Sequence, residues 1–63
     1  MLVHEHREWP STQLNVTFPI SFTIMPTIVV AGAGGDVQCH FWSQTGFEFR
    51  SQTRWMSYIA IGV

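Results

Sequence analysis

Cys39 is the only cysteine in this chain of 63 residues, so no intrachain disulfide can close its fold. A chain of this length hides only ~60% of the surface that it exposes when unfolded. Folds this small are commonly stabilised by disulfides, by metals or by association with other chains. Since a disulfide is ruled out, the sources of stability that remain are a metal site and partner chains. We expect partner chains.

The low charge of the chain points to the same conclusion. Charged residues make up only 11% of the sequence and lysine is absent, whereas a well-behaved monomer carries about 25–35% charged residues on its surface. The net charge of −1 leaves no cluster of cations for phosphates, so we expect no nucleic-acid partner. The longest apolar run, residues 28–35, is shorter than the about 20 residues of a membrane span, and residues 1–8 lack the apolar core of a signal peptide. We therefore expect no membrane insertion.

Short runs of β-branched and aromatic residues are broken by Pro, Gly and polar clusters, and no sustained helical period is present. This pattern predicts an all-β fold, a small antiparallel β-sandwich of about six strands. In one strand Leu14, Val16 and Phe18 share a face, and Pro19 makes that strand an edge or bends it. A turn is predicted at residues 32–36. The predicted strands are residues 2–8, 14–23, 27–31, 37–43, 47–53 and 55–61.

The hairpin of residues 37–53 can be given a register from its loop. If Gln44-Thr45-Gly46 is a three-residue loop with a left-handed glycine, Phe41 pairs with Phe49 and His40 with Arg50. A slip by one residue would mix apolar and polar side chains on each face, so this register is expected. The apolar face then consists of Val37, Cys39, Phe41, Phe47 and Phe49. The opposite face consists of Gln38, His40, Trp42, Glu48, Arg50 and Gln52.

The polar and aromatic face of this hairpin predicts a carbohydrate site. Aromatic rings pack on the C–H patches of sugars, and Arg, Gln and His bond their hydroxyls. The pair Arg54 and Trp55 could add a cation–aromatic platform. An alternative at least as well supported is a subunit interface, where aromatic residues and arginine are also enriched. The candidate receptor-binding residues are His40, Trp42, Arg50, Gln52, Arg54 and Trp55.

Catalysis is disfavoured by the reactive side chains. The acidic residues Glu5, Glu8, Asp36 and Glu48 show no spacing typical of acid–base pairs. Cys39 is predicted on the apolar side, where an inert structural thiol is the common case, and His40 points to the other side.

His4 and His6 form the one candidate metal motif. Alternate residues of an extended strand face the same way, so each chain would offer two imidazoles on one side. Three chains around an axis would bring these together as an octahedral transition-metal site. The commoner alternative is a pair of exposed terminal histidines, and no other cofactor is expected.

Four short segments follow one another through residues 14–63. They are Val16-Thr17-Phe18-Pro19-Ile20-Ser21-Phe22, Pro26-Thr27-Ile28-Val29-Val30, Gly46-Phe47 and Tyr58-Ile59-Ala60-Ile61-Gly62. In order and spacing they resemble the C-terminal receptor-binding domain of bacteriophage tail fibres and, more loosely, the H-type lectin domain. Tyr58 stands where the closing motif usually has Trp.

The resemblance implies a six-stranded sandwich that assembles as a homotrimer at the distal tip of a tail fibre, in a virion made in the host cytoplasm. It implies binding, without catalysis, of a host cell-surface glycan, lipopolysaccharide or outer-membrane protein. Residues 14–63 would be the receptor-binding domain, and residues 1–13 a shaft remnant or an edge strand. Two alternatives stay open: a structural trimerisation cap without receptor contact, and a free-standing H-type-like lectin.

Overall fold

The computed structural model of the chain describes residues 1–32 and 34–63. Six strands form two antiparallel sheets of three strands each, which lie together in a sandwich-like arrangement. The first sheet has the order β1-β6-β3 and the second sheet the order β2-β5-β4. The strands are β1 Leu2–Glu8, β2 Gln13–Thr17, β3 Thr27–Gly32, β4 Val37–His40, β5 Gly46–Ser51 and β6 Trp55–Ile61.

The prediction of an all-β fold with six antiparallel strands is confirmed. The bounds of β1 and β6 agree with the predicted strands, and β3 is one residue longer than predicted. Ala33, which falls in the turn predicted at residues 32–36, lies outside the described residues. Within the described residues, no helix is long and apolar enough to cross a membrane.

An aromatic layer fills the space between the two sheets. In β6 the two-residue period turns Met56, Tyr58 and Ala60 inward, each at most 1% exposed. The Tyr58 ring meets the Phe47 ring of the second sheet edge-on, with 5.0 Å between centroids. The buried aromatic residues of this layer are Trp9, Phe18, Phe22, Phe47, Phe49 and Tyr58.

Polar atoms at the rim of this layer have partners. The Trp9 indole Nε1 donates a hydrogen bond of 2.8 Å to the Met56 carbonyl, which ties the segment after β1 to β6. The Tyr58 hydroxyl donates one of 2.6 Å to Glu5 Oε1. Burial, together with this hydrogen bond to a carboxylate, raises the pKa of Tyr58 well above its ordinary value.

The strand predicted at residues 14–23 is too long. β2 ends at Thr17, two residues before Pro19, which has no N–H for a ladder. The predicted inward face is nevertheless confirmed: Val16 and Phe18 are buried and Leu14 packs against the core. Beyond β2, Phe22 also reaches the core, and its backbone N–H donates to the Gln44 carbonyl at 2.9 Å.

The predicted hairpin register is wrong by two residues. Phe49 pairs with Cys39 and Glu48 pairs with His40, and β4 ends at His40 instead of at residue 43. A shift by two keeps the side chains of the residues that still pair on their predicted faces, so Phe47 and Phe49 are still buried. Phe41 alone leaves the predicted core: it lies in the loop, 75% exposed, with a left-handed φ of 51°.

Gly46 and Ser43 explain the shifted register. Gly46 is the first residue of β5, and a Cβ there would collide with the Val16 carbonyl oxygen of β2. The glycine is therefore needed for close approach to β2, and the predicted left-handed turn at this position is wrong. Ser43 closes the loop instead: its N–H donates to the Gly46 carbonyl at 2.8 Å, and its Oγ accepts from the N–H groups of Thr45 and Gly46.

The exposed Phe41 and the buried Phe49 give a direct test of this register. We expect Phe49→Ala to lower the free energy of unfolding by ~3–5 kcal/mol, because Phe49 is fully buried. Phe41→Ala should change it by less than about 1 kcal/mol, because the ring is mostly exposed. Urea denaturation at one fixed protein concentration measures both values. Equal destabilisation by the two variants would instead support Phe41 as a core residue.

Tyr58 predicts a loss of stability at alkaline pH. Its pKa is raised in the folded chain, so its contribution is complete below its ordinary pKa of about 10 and is lost as the pH rises further. Tyr58 is the only tyrosine. We expect Tyr58→Phe to lower the free energy of unfolding by ~1.5–3 kcal/mol at neutral pH, because the hydrogen bond to Glu5 is lost. Above pH ~10 the free energy of unfolding of this variant should fall less steeply with pH than that of the wild type. Denaturant midpoints between neutral and alkaline pH measure this, and identical slopes would contradict it.

Candidate functional site

The two outer surfaces of the sandwich differ in chemistry. We define the apolar face as the outward side chains of the first sheet that expose large hydrophobic groups: Leu2, Val29, Trp55, Ile59 and Ile61. We define the polar face as the outward side chains of the second sheet: Gln13, Asn15, Thr17, Gln38, His40, Glu48 and Arg50. The candidate residues predicted from the sequence are divided between these two faces.

Arg50 lies at the centre of the polar face. In the strand register it is flanked by Gln13 of β2 and Gln38 of β4. Its Nε lies 3.0 Å from Glu48 Oε1, so the charge of the guanidinium is balanced on the face itself. His40 Nε2 lies 3.0 Å from Gln38 Oε1. The predicted pair His40 and Arg50 therefore shares one surface, on which the polar groups bond to one another.

Phe41 borders a small cavity at one end of the polar face. The cavity of about 190 Å³ is lined by the side chains of Asn15 and Thr17 on β2, and by Phe41 and Thr45 of the loop. The Arg50 guanidinium carbon lies 5.9 Å from the centroid of the Phe41 ring. Sequence reasoning missed this arrangement, because alternation in an extended strand would have turned Phe41 into the core.

Gln52 and Trp42 lie next to the polar face, at two different places. Gln52 Oε1 accepts a hydrogen bond of 2.9 Å from the Asp36 N–H, and a cavity of about 260 Å³ lies between Gln52, Gln38 and Arg50. Trp42 is more than half exposed in the loop after β4. It lines a separate cavity of about 270 Å³ with Ile28 of β3 and Cys39 of β4.

Arg54 and Trp55 lie on the other side of the sandwich. Trp55 is an outward residue of β6 in the first sheet, and its ring lies 5.8 Å from that of His6. The Arg54 guanidinium pairs with the Glu8 carboxylate at 3.2 Å. The six predicted receptor-binding residues thus do not form one continuous site: His40 and Arg50 share the polar face, Gln52 and Trp42 lie at its edges, and Arg54 and Trp55 are separate.

The apolar face is built in cross-strand rows. His4, Ile59 and Val29 lie side by side across the first sheet, and Leu2 and Ile61 pair in a neighbouring row. Leu2 and Val29 remain 63% and 55% exposed. A hollow of about 90 Å³ lies on this face between His4, Val29 and Ile59. A surface of this kind is suited to contact with another apolar surface.

His4 and His6 both point outward from β1 on the side of the apolar face. The His6 Nδ1 is hydrogen-bonded to the Ser57 hydroxyl. Within residues 1–32 and 34–63 no group of three or more His, Cys, Asp or Glu side chains is arranged to hold a metal. A metal at His4 and His6 would need ligands from further chains, and it remains a prediction.

Cys39 packs against the core from β4 and is half-buried. Burial raises the pKa of its thiol and so disfavours the thiolate, which is the nucleophilic form. His40, the next residue, is on the opposite side of the strand, with Gln38 as its partner. The arrangement around Cys39 is that of a packing residue.

Three comparisons bear on relatives of this chain. No protein-family model, no curated protein and no solved structure matches it.

Elemental analysis tests the histidine motif. If His4 and His6 hold a transition metal around a three-fold axis, protein loaded with Ni²⁺ and freed of excess metal retains at least one ion per three chains. His4→Asn should then release the ion, whereas His40→Asn, on the polar face, should not. Retention of fewer than one ion per three chains by the wild type would contradict the prediction.

Proposed function

We propose that this chain is a non-enzymatic receptor-binding tip of a bacteriophage tail fibre. As a homotrimer at the distal end of the fibre in the virion, it binds a glycan, lipopolysaccharide or outer-membrane protein on the host cell. The order of the motifs in residues 14–63 supports this proposal, and the fold of six antiparallel strands agrees with it. The observation that carries it is the division of the surface into the apolar face and the polar face.

The apolar face is the part of the surface that we assign to contacts between copies. Soluble monomers rarely expose contiguous apolar patches larger than a few hundred Å². Here Leu2, Val29 and Ile61 are each at least half exposed on one side of one sheet. The hollow beside Ile59 offers room for an apolar side chain of a neighbouring copy. Three copies that turn this face inward would bury it and bring their His4 side chains towards one another.

The polar face would then point away from the trimer axis, towards the host. Each copy would present one set of hydrogen-bonding groups around Arg50, with a flanking cavity on either side. Single sites of this size bind weakly, but three linked sites that engage one surface gain strength by avidity. Such a binder needs no deep pocket and no catalytic group.

A structural trimerisation cap is the second candidate, and one observation favours it. The polar groups that were expected to bind sugars are engaged with one another: Arg50 pairs with Glu48, and His40 with Gln38. A surface whose polar groups bond to one another in this way can simply face water.

A free-standing lectin differs from both the receptor-binding tip and the cap, because its gene would encode no triple-stranded fibre shaft upstream of this domain.

Val29→Lys tests the role of the apolar face. The exposed Val29 tolerates a longer side chain in a single copy, but a lysine buried between copies would be an unpaired charge. We expect the variant to sediment as a smaller species or to lose its fold, and the control Gln13→Lys on the polar face to keep the wild-type mass. Analytical ultracentrifugation and circular dichroism measure both. A Val29→Lys variant with the wild-type mass would contradict the assignment.

Binding of the labelled protein to a panel of bacterial strains separates a receptor-binding tip from a cap. We expect the wild type to stain some strains, and Arg50→Ala to stay trimeric while staining them at least about tenfold less. Failure to stain any strain, or purified lipopolysaccharide from them, would favour the cap. Dissociation of Arg50→Ala into single chains would assign the polar face to the interface.

A further inference from the structure

Phe41 stands out among the described residues because its backbone conformation is costly. It is the only described non-glycine residue with a positive φ, 51°, a conformation that is unfavourable for most side chains. The ring gains no burial in return, since it is 75% exposed. Strain of this kind persists where the surroundings impose it, and it concentrates at functional sites. Two residues further along the same loop, Ser43 Oγ accepts hydrogen bonds from the N–H groups of Thr45 and Gly46.

The surroundings of the ring are polar on one side. Asn15 and Thr17 project outward from β2, an edge strand, and line the same cavity as Phe41. Within residues 1–32 and 34–63 their side chains make no hydrogen bond, in contrast to the paired residues around Arg50. A carboxamide offers two donors and an acceptor, and a hydroxyl offers one donor and two acceptors. The cavity therefore combines an exposed aromatic ring with exposed polar groups that are not engaged with other described side chains.

This combination fits the two kinds of surface of a sugar ring. Its C–H side packs on an aromatic ring, while its hydroxyls need planar amides and hydroxyls at the edge. The nearest cation, Arg50, is neutralised by Glu48 at 3.0 Å, so the site does not favour an anion. The cavity of about 190 Å³ is smaller than ordinary ligand pockets of about 300–1,000 Å³, so it admits a single ring.

We propose that Phe41, Asn15 and Thr17 form a subsite for one uncharged pyranose ring of a bacterial surface polysaccharide. Phe41 stacks on the C–H side of the ring, and Asn15 and Thr17 bond its hydroxyls. This inference rests on the proposed receptor-binding function and gives the receptor a chemical class. It also moves the recognition site to the end of the polar face that adjoins the loop of residues 41–45.

NMR titration of the isotope-labelled wild-type assembly with glucose, galactose, mannose and N-acetylglucosamine tests the subsite. We expect at least one of these sugars to shift the Asn15 side-chain amide and the Phe41 ring below ~50 mM, the weak range of a single-ring site. Sialic acid and glucose 6-phosphate are the charged comparison probes. No shift at Asn15 and Phe41 with any neutral sugar, or tighter binding of a charged one, would overturn the proposal.

Variants separate the subsite from other roles of the loop. Phe41→Ala should weaken binding of the active sugar at least about tenfold, and Phe41→Trp should retain it. Asn15→Ala should weaken it without touching the ring. The control Ile20→Ala removes another mostly exposed apolar side chain that does not line the cavity, and should bind as the wild type does.

Two outcomes distinguish this inference from the proposed function. If Phe41→Ala stays trimeric and stains bacteria as strongly as the wild type, the subsite is wrong and the receptor-binding function stands. If Phe41→Ala dissociates, the ring belongs to a contact between copies and the subsite is overturned. If the wild type binds a neutral sugar at Phe41 but stains no strain of the panel, the subsite stands and the receptor-binding role fails.

Discussion

The packing of two three-stranded sheets on a single aromatic layer is the constraint from which the rest of the structure follows. Tyr58, Phe47 and Phe49 occupy the inward positions of the two central strands, and each is at most 3% exposed. One such layer occupies the inward positions of both sheets, so the remaining large apolar side chains lie on the surface of the sandwich. They include Leu2, Val29 and Ile61 on the outer surface of the first sheet, so the limit on core size leaves an apolar surface that is suited to contact with another chain.

The other outer surface is free to carry recognition. Arg50, Glu48 and their neighbours form a balanced polar network on rigid strands, and the loop of residues 41–45 places Phe41 at its end. The loop is held by Ser43 and by the close approach of Gly46 to β2. The same contacts that set the hairpin register therefore expose the ring, which links the packing of the second sheet to the cavity that we propose for a sugar.

Period-two alternation was enough to predict that six strands form, the inward face of β2 and the faces of the hairpin residues that pair, but not the bounds of β2, β4 and β5. It was not enough for the register, because a shift of two residues preserves every face, and the contact of Gly46 with Val16 joins distant parts of the sequence. For the same reason His40 and Arg50 were correctly placed on one face. Arg54 and Trp55 were predicted as an additional cation–aromatic platform, and its position could not be predicted, since the pairing of β6 with β1 and β3 decides which sheet carries Trp55. The cavity at Phe41 depends on the shifted register and had no local signal.

The central claim is that three copies cover one another's apolar faces, and the mass of the wild-type chain in solution tests it most directly. Light scattering at micromolar protein concentration should give a mass three times the 7.2 kDa of one chain. The circular dichroism spectrum of the same sample should be that of a β-sheet protein. A stable, folded species of 7.2 kDa at that concentration would contradict the account. The apolar face would then be exposed to water in a chain that folds without contacts between copies.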